Sequence, residues 1–182
     1  MSLRIGKKRI VFAGKYLVVW EKEFFDKNGE RRIWEYIERK RVIFIFPITF
    51  DQKVVLVRNF RVPLERYVIE VPAGLKDKIN ESDEEVARRE LLEETGYCAE
   101  KLIPIKPFPY RQGSSNGIAV GFFAVGLKKV KESCGDETED MTMIEVKMDK
   151  LMDFYRNLPQ NELFDSQILS MYCLAVSMGI CG

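Results

Sequence analysis

Residues 73–96 read AGLKDKINESDEEVARRELLEETG and constrain this chain more than any other stretch. Ser82 suits a helix N-cap, and Glu85, three residues on, completes a capping box. Asp83 and Glu84 fall in the first turn, where negative charge suits the helix dipole. Gly96 is a natural C-terminal stop. The pattern predicts a helix from about Asp83 to Thr95. At about 100° per residue, Glu90 and Glu94 lie about 40° apart, with Glu93 about 60° to the other side of Glu90. Three carboxylates therefore share a narrow face. Val86, about 40° from Glu90, and Ala87, about 60° to the other side, fall on it too. That face is expected to turn toward the protein body.

An acidic run is most often a solvated surface. Here its overlap with apolar positions points inward instead. Like charges at helical spacing repel, and inward carboxylates are costly without a compensating cation. Hard divalent ions take oxygen ligands of this kind. On the residues alone both readings stand, a solvated face and a cation site.

Composition narrows the chemistry. A chain of 182 residues with 46% apolar content can bury a sizeable core and is most simply one domain. A net charge of +1 gives no global pull toward nucleic acid or acidic membranes. No apolar run reaches transmembrane length and the first residues lack a signal-peptide core, so a cytoplasmic protein with no nucleic-acid or membrane partner is expected. Cys98, Cys134, Cys173 and Cys181 lack metal-ligand spacing. Three of them follow or sit among apolar residues and are expected to be reduced core thiols. Histidine is absent, which excludes Ser-His and Cys-His catalysis and most zinc sites. Acid–base chemistry must rest on carboxylates, Lys, Tyr or water activated by a metal.

The first seventy or so residues read as strands: 10–13 and 16–24, then 31–38 after the turn signal Asp26-Lys27-Asn28-Gly29, then 41–50, 53–60 and 67–71. After the helix, 97–105, 118–127 and 142–148 are strand-like. A short helix is expected over 149–156, and Asp165 caps a last helix with Ile168, Leu169, Tyr172, Ala175 and Val176 at helical spacing. This order suggests a mixed sheet with helices packed on it.

The segment from Gly74 to Gly96 resembles the Nudix box, the signature of hydrolases that cleave nucleoside diphosphates linked to another group. The flanks narrow the resemblance. Arg58-Asn59-Phe60-Arg61-Val62-Pro63 and Tyr67-Val68-Ile69-Glu70-Val71-Pro72-Ala73-Gly74 look like the ADP-ribose (ADP-sugar) pyrophosphatase branch. So do Gly14-Lys15-Tyr16, Trp34-Glu35-x-x-x-Arg39, the acidic segment 135–140, and Phe164-Asp165-Ser166-Gln167. The resemblance covers roughly residues 8–178. It implies an α/β fold, a Nudix α/β/α sandwich with a mixed sheet preceded by an N-terminal antiparallel β-sheet. Residues 1–40 would form that N-terminal region, a dimerisation element, and residues 41–182 the hydrolase domain.

The resemblance also implies roles. Ala73 would offer its backbone carbonyl to a metal. Glu90 and Glu94 would be direct ligands, with Glu93 beside them and Glu139 completing the metal site from a loop. Arg89, four residues before Glu93, would hold that carboxylate in place. Glu137 matches the general base; its bland alternative is a solvated loop carboxylate. Arg61 and Arg39 would hold phosphate or ribose oxygens, or make structural ion pairs instead. Tyr16 and Trp34 would sandwich the adenine, or be core or hairpin aromatics. Gly74 and Leu75 would line the substrate. Glu70 would orient the metal cluster or pair with an arginine. The implied cofactor is Mg²⁺, with Mn²⁺ as a substitute, the substrate a nucleoside diphosphate sugar, and the assembly a homodimer.

The chain departs from the pattern in four places. Six residues separate Gly74 from Glu81 where five are usual, which puts the role of Glu81 in question. Asn59 replaces a usual Gln, Gly113-Ser114-Ser115-Asn116-Gly117 replaces a Ser-Pro-Gly type loop, and Val62 stands where a second Pro is common. The expected reaction is Mg²⁺-dependent hydrolysis of ADP-ribose to AMP and ribose 5-phosphate. The rivals are hydrolysis of GDP-mannose or another nucleoside diphosphate derivative, and a noncatalytic ADP-ribose-type sensor.

Overall fold

The computed structural model of the chain describes residues 2–132 and 140–180. The chain divides into two compact units, residues 1–42 with 107–119, and residues 43–106 with 120–182.

In the first unit, strands β1 (Arg4–Ala13), β2 (Val18–Phe25) and β3 (Arg31–Ile37) form an antiparallel sheet in the order β1-β2-β3. The β2–β3 turn is fastened by Asp26, whose Oδ1 accepts from the N–H groups of Asn28 at 2.9 Å and Glu30 at 3.0 Å. Gly29 takes the left-handed conformation there (φ +84°). Strand β1 begins at Arg4 rather than at Ile10, where the apolar run starts. Its charged residues find partners on β2: Arg9 bonds Glu21 at 2.5 Å, Arg4 lies over the Phe25 ring and Lys8 over Trp20. The distant segment 107–119 joins this unit. The Ile37 N–H donates to the Ser114 carbonyl at 2.9 Å, and the Arg39 N–H donates to Asn116 Oδ1 at 2.9 Å. No local pattern announces such a long-range strap.

The second unit carries β4 (Val42–Pro47), β5 (Lys53–Arg61), β6 (Arg66–Glu70), β7 (Ala73–Leu75), α1 (Asp83–Thr95), β8 (Tyr97–Pro104), α2 (Leu151–Arg156) and α3 (Ser166–Ser177). Two-residue β9 (Phe108–Pro109) pairs with the start of β10 (Ile118–Lys129). The later strands are β11 (Met141–Lys147) and β12 (Glu162–Phe164). One sheet runs β7-β4-β10-β8 and the other β11-β5-β6-β12. The second sheet is mixed, with β12 parallel to β6 and the other pairs antiparallel. Strands β7, β9 and β12, at two or three residues each, are too short for periodicity to reveal.

The helix expected at 83–95 is α1, with Ser82 accepting from the Glu85 N–H and Glu85 reaching back to the Ser82 N–H at 2.7 Å. Its Val86, Ala87 and Leu91 are fully buried against Ile43, Ile45 and Phe122. Asp165 caps α3 through a bond from the Gln167 N–H at 2.9 Å, and Ile168, Met171 and Ala175 are buried. Two cysteines correct the core-thiol expectation, since Cys98 and Cys173 are free but exposed. Cys98 alternates with buried Ala99 on β8, so its side chain takes the outer face. Cys134 and Cys181 lie outside the described residues. Among the described residues, no helix is long and apolar enough to cross a membrane.

Candidate active site

The site in the second unit is built where β7 runs against α1. The capping box fixes where α1 starts, and burial of Val86, Ala87 and Leu91 fixes its rotation. Glu90 and Glu94 are thereby turned toward β7. The Glu90 side chain is only 14% exposed. A Cβ built on Gly74 would lie 1.9 Å from Glu90 Oε1 and 2.0 Å from its Cδ, so only glycine lets the strand and the carboxylate meet. The Ala73 N–H donates to Glu94 Oε2 at 3.3 Å. Glu93 departs from the shared-face expectation. Its side chain is 51% exposed, because it lies on the far side of Glu90 from Glu94 and rotates out toward solvent.

Arg89 collects the carboxylates around it. Its Nε bonds Glu81 Oε1 at 2.9 Å, and its Nη1 bonds Glu90 Oε1 at 2.7 Å and Glu93 Oε2 at 3.1 Å. Glu81 above all, then Glu90 and Glu93, raise the affinity of the guanidinium for its proton. Arg89 in turn holds the Glu81 carboxyl below the usual carboxylate range. The longer loop before α1 therefore does not displace Glu81. It contains a turn closed by the Glu81 N–H on the Lys78 carbonyl at 3.3 Å.

Arg61 makes a fork with Glu70, Nε to Oε2 at 2.9 Å and Nη2 to Oε2 at 2.5 Å. Both residues also have interactions beyond this pair. Leu75 ends β7 and is exposed. Glu137 and Glu139 lie outside the described residues, which resume at Asp140. Asp140 accepts from the Tyr67 hydroxyl, a bond that spacing alone did not signal. In the first unit, Tyr16 is 83% and Trp34 54% exposed, so neither is a core aromatic. The Trp34 indole N–H donates to the Gly113 carbonyl at 3.1 Å. Trp34 also lines a cavity of about 270 Å³ with Leu3, Ile5, Phe24, Tyr36 and Asn116. Arg39 enters through its backbone bond to Asn116.

Among the described residues, no three carboxylates converge as a preformed cation cage. The donor chemistry nonetheless fits a hard divalent ion. Glu90, Glu94 and the Ala73 backbone offer only oxygen as ligand atoms. Arg89 offsets part of the charge of three glutamates, Glu81, Glu90 and Glu93.

The NUDIX domain model matches residues 38–169. The chain is 31% identical over 160 residues to the ADP-ribose pyrophosphatase of Bacillus subtilis (strain 168), covering 88% of this chain and 85% of that protein. It is 29% identical over 142 residues to the ADP compounds hydrolase NudE of Escherichia coli (strain K12), covering 74% and 72%. A solved structure, "Crystal structure of ADP compounds hydrolase", superposes with a TM-score of 0.81 at 26% identity, over 98% of this chain and 94% of that one. The chain belongs to the Nudix family and has its α/β fold, with an antiparallel sheet at the N-terminus. It is a Nudix hydrolase of the ADP-ribose pyrophosphatase type, an enzyme acting on small nucleoside diphosphate derivatives; the family generally uses divalent metal ions.

Proposed function

We propose that this enzyme hydrolyses the diphosphate linkage of ADP-ribose or a closely related ADP-sugar with Mg²⁺, releasing AMP and a sugar phosphate. The observation that carries this reading is the placement of Glu90 and Glu94 against the Ala73–Gly74 backbone. Both side chains carry oxygen, the ligand atom that hard divalent ions take. Glu90, Glu94, the Ala73 carbonyl and Glu139 would hold Mg²⁺, or Mn²⁺ in its stead. The ion would neutralise the diphosphate and acidify the attacking water. Glu137 would serve as the general base toward that water. Arg89 keeps Glu90 and Glu93 oriented, and Arg61 exchanges Glu70 for a phosphate oxygen. Arg39 holds phosphate or ribose oxygens, Gly74 and Leu75 border the substrate, and Tyr16 and Trp34 sandwich the adenine. The names of the relatives support an ADP compound over other nucleotides.

The first test is turnover of ADP-ribose beside GDP-mannose with Mg²⁺, following AMP and GMP by chromatography. AMP release that EDTA abolishes is the expected result. Turnover of GDP-mannose alone would keep the carboxylate site and refute the adenine assignment. Tight ADP-ribose binding without any turnover would make the chain a sensor. A homodimer formed through the N-terminal sheet belongs to the same reading. Its support is β1, exposed along all ten residues and carrying Ile5, Ile10 and Phe12.

A further inference from the structure

The cavity beside Trp34 is lined by residues of the first unit alone and has two kinds of wall. One wall is a face of the β1-β2-β3 sheet. Lys22 is the register partner of Trp34, and Ile5 is the partner of Phe24. Directly opposed residues project from the same face, and alternation along β2 and β3 brings Phe24 and Tyr36 onto it as well. The Phe24 ring meets Trp34 edge-on with centroids 6.3 Å apart, and the Lys22 ammonium lies 4.9 Å from the Tyr36 ring centroid. At about 270 Å³ the cavity is smaller than the about 300–1,000 Å³ of a drug-sized pocket. It has room for a single ring system rather than for a whole nucleotide sugar.

The other wall is polar and belongs to the strap: Gln112, Ser115 and Asn116. The single proton of the Ser115 hydroxyl is spent on the Tyr110 carbonyl at 2.6 Å. Asn116 is anchored twice to the end of β3 and the residues after it. Its N–H donates to the Ile37 carbonyl at 3.4 Å, and its Oδ1 accepts from the Arg39 N–H at 2.9 Å. Only the oxygen of a carboxamide can meet a backbone N–H, so this bond settles which end of the amide is which. Among the described residues Nδ2 has no partner. What Asn116 offers the cavity is therefore a donor held in place. No carboxylate is among the described residues that line the cavity. Adenine presents a bare ring nitrogen at N1, which accepts, whereas guanine carries a proton there. A fixed donor pairs with the first and opposes the second.

We propose that Asn116 is a specificity-determining residue, its Nδ2 donating to N1 of an adenine ring that stacks on Trp34 in this cavity. The inference rests on the adenine-binding role proposed above for Trp34. Asn116→Asp keeps an oxygen for the Arg39 N–H and turns the donor into an acceptor, which suits the N1–H and 2-amino groups of guanine. Binding of AMP and GMP, neither of which carries a diphosphate to cleave, is measured by isothermal titration calorimetry with Mg²⁺ present. The parent should bind AMP more tightly than GMP. In Asn116→Asp the ratio of the two affinities should shift toward GMP by about tenfold or more, the scale of one base contact. The kcat/KM ratio of ADP-ribose to GDP-ribose should move the same way. The added charge repels the phosphates of both nucleotides alike, and a merely loosened strap weakens both alike, so the ratio reports the base. An unchanged ratio overturns the inference. Trp34→Ala separates the two levels. If it binds AMP as the parent does, or if the parent binds neither nucleotide, the underlying reading falls and the inference with it. If Trp34→Ala loses AMP while Asn116→Asp keeps the parent's ratio, the inference alone falls.

Discussion

A methyl group at Gly74 would have to share space with the Glu90 carboxylate, 1.9 Å from Oε1. The colliding atoms are the far end of a flexible side chain, so the fold can yield cheaply by moving Glu90 aside. Gly74→Ala should therefore leave unfolding free energy within about 1 kcal/mol of the parent. Turnover should drop by about 100-fold or more, the scale of a 1 Å misplacement at a reacting centre. Parallel urea melts and turnover assays test this; equal losses of stability and activity would mean that Gly74 serves the backbone rather than Glu90. At this scale the sequence was legible for Arg89, whose four-residue spacing to Glu93 suffices to pair them. It was not legible for Glu81. A longer loop leaves the direction of Glu81 undetermined until the turn at Lys78 is seen.

Elements defined by their own caps were the easiest to read. The ends of α1 follow from Ser82, Glu85 and Gly96, and the start of α3 from Asp165. Ser82→Ala should cost about 1 kcal/mol, measured by urea unfolding, and a neutral outcome would mean the Glu85 half of the box suffices. The charged start of β1 and the strap at 107–119 were not readable, because both depend on partners far away in sequence. One cross-element contact also predicts a pH response. The Tyr97 hydroxyl at the start of β8 donates to Glu145 Oε1 on β11 at 2.5 Å. Burial first, and Glu145 second, push its pKa up to about 12 from 10.0. The folded value exceeds the unfolded one, so the contribution is complete below about pH 10 and is lost as pH rises toward 12. Tyr97→Phe should be less stable than the parent below pH 10, with the gap closing between pH 10 and 12. A gap constant through that window would refute the coupling.

For the whole molecule, the exposed apolar residues of β1 need an explanation that the isolated chain does not supply. Ile5, Ile10, Val11 and Phe12 are all exposed on a strand that, among the described residues, pairs with β2 alone. Contiguous exposed apolar surface of this kind marks an interaction site or an aggregation hazard. An edge strand carrying it is a template for another chain. A second copy of the same sheet is the simplest occupant, since two-fold assembly buries identical patches at once. Sedimentation equilibrium should then give twice the chain mass. Phe12→Asp places a charge in that surface and should return the mass to one chain, while circular dichroism of the folded protein stays unchanged. If the parent sediments as a single chain at every concentration, dimerisation through this sheet is refuted. If Phe12→Asp remains dimeric, the interface lies elsewhere, and the exposed row on β1 awaits a partner other than itself.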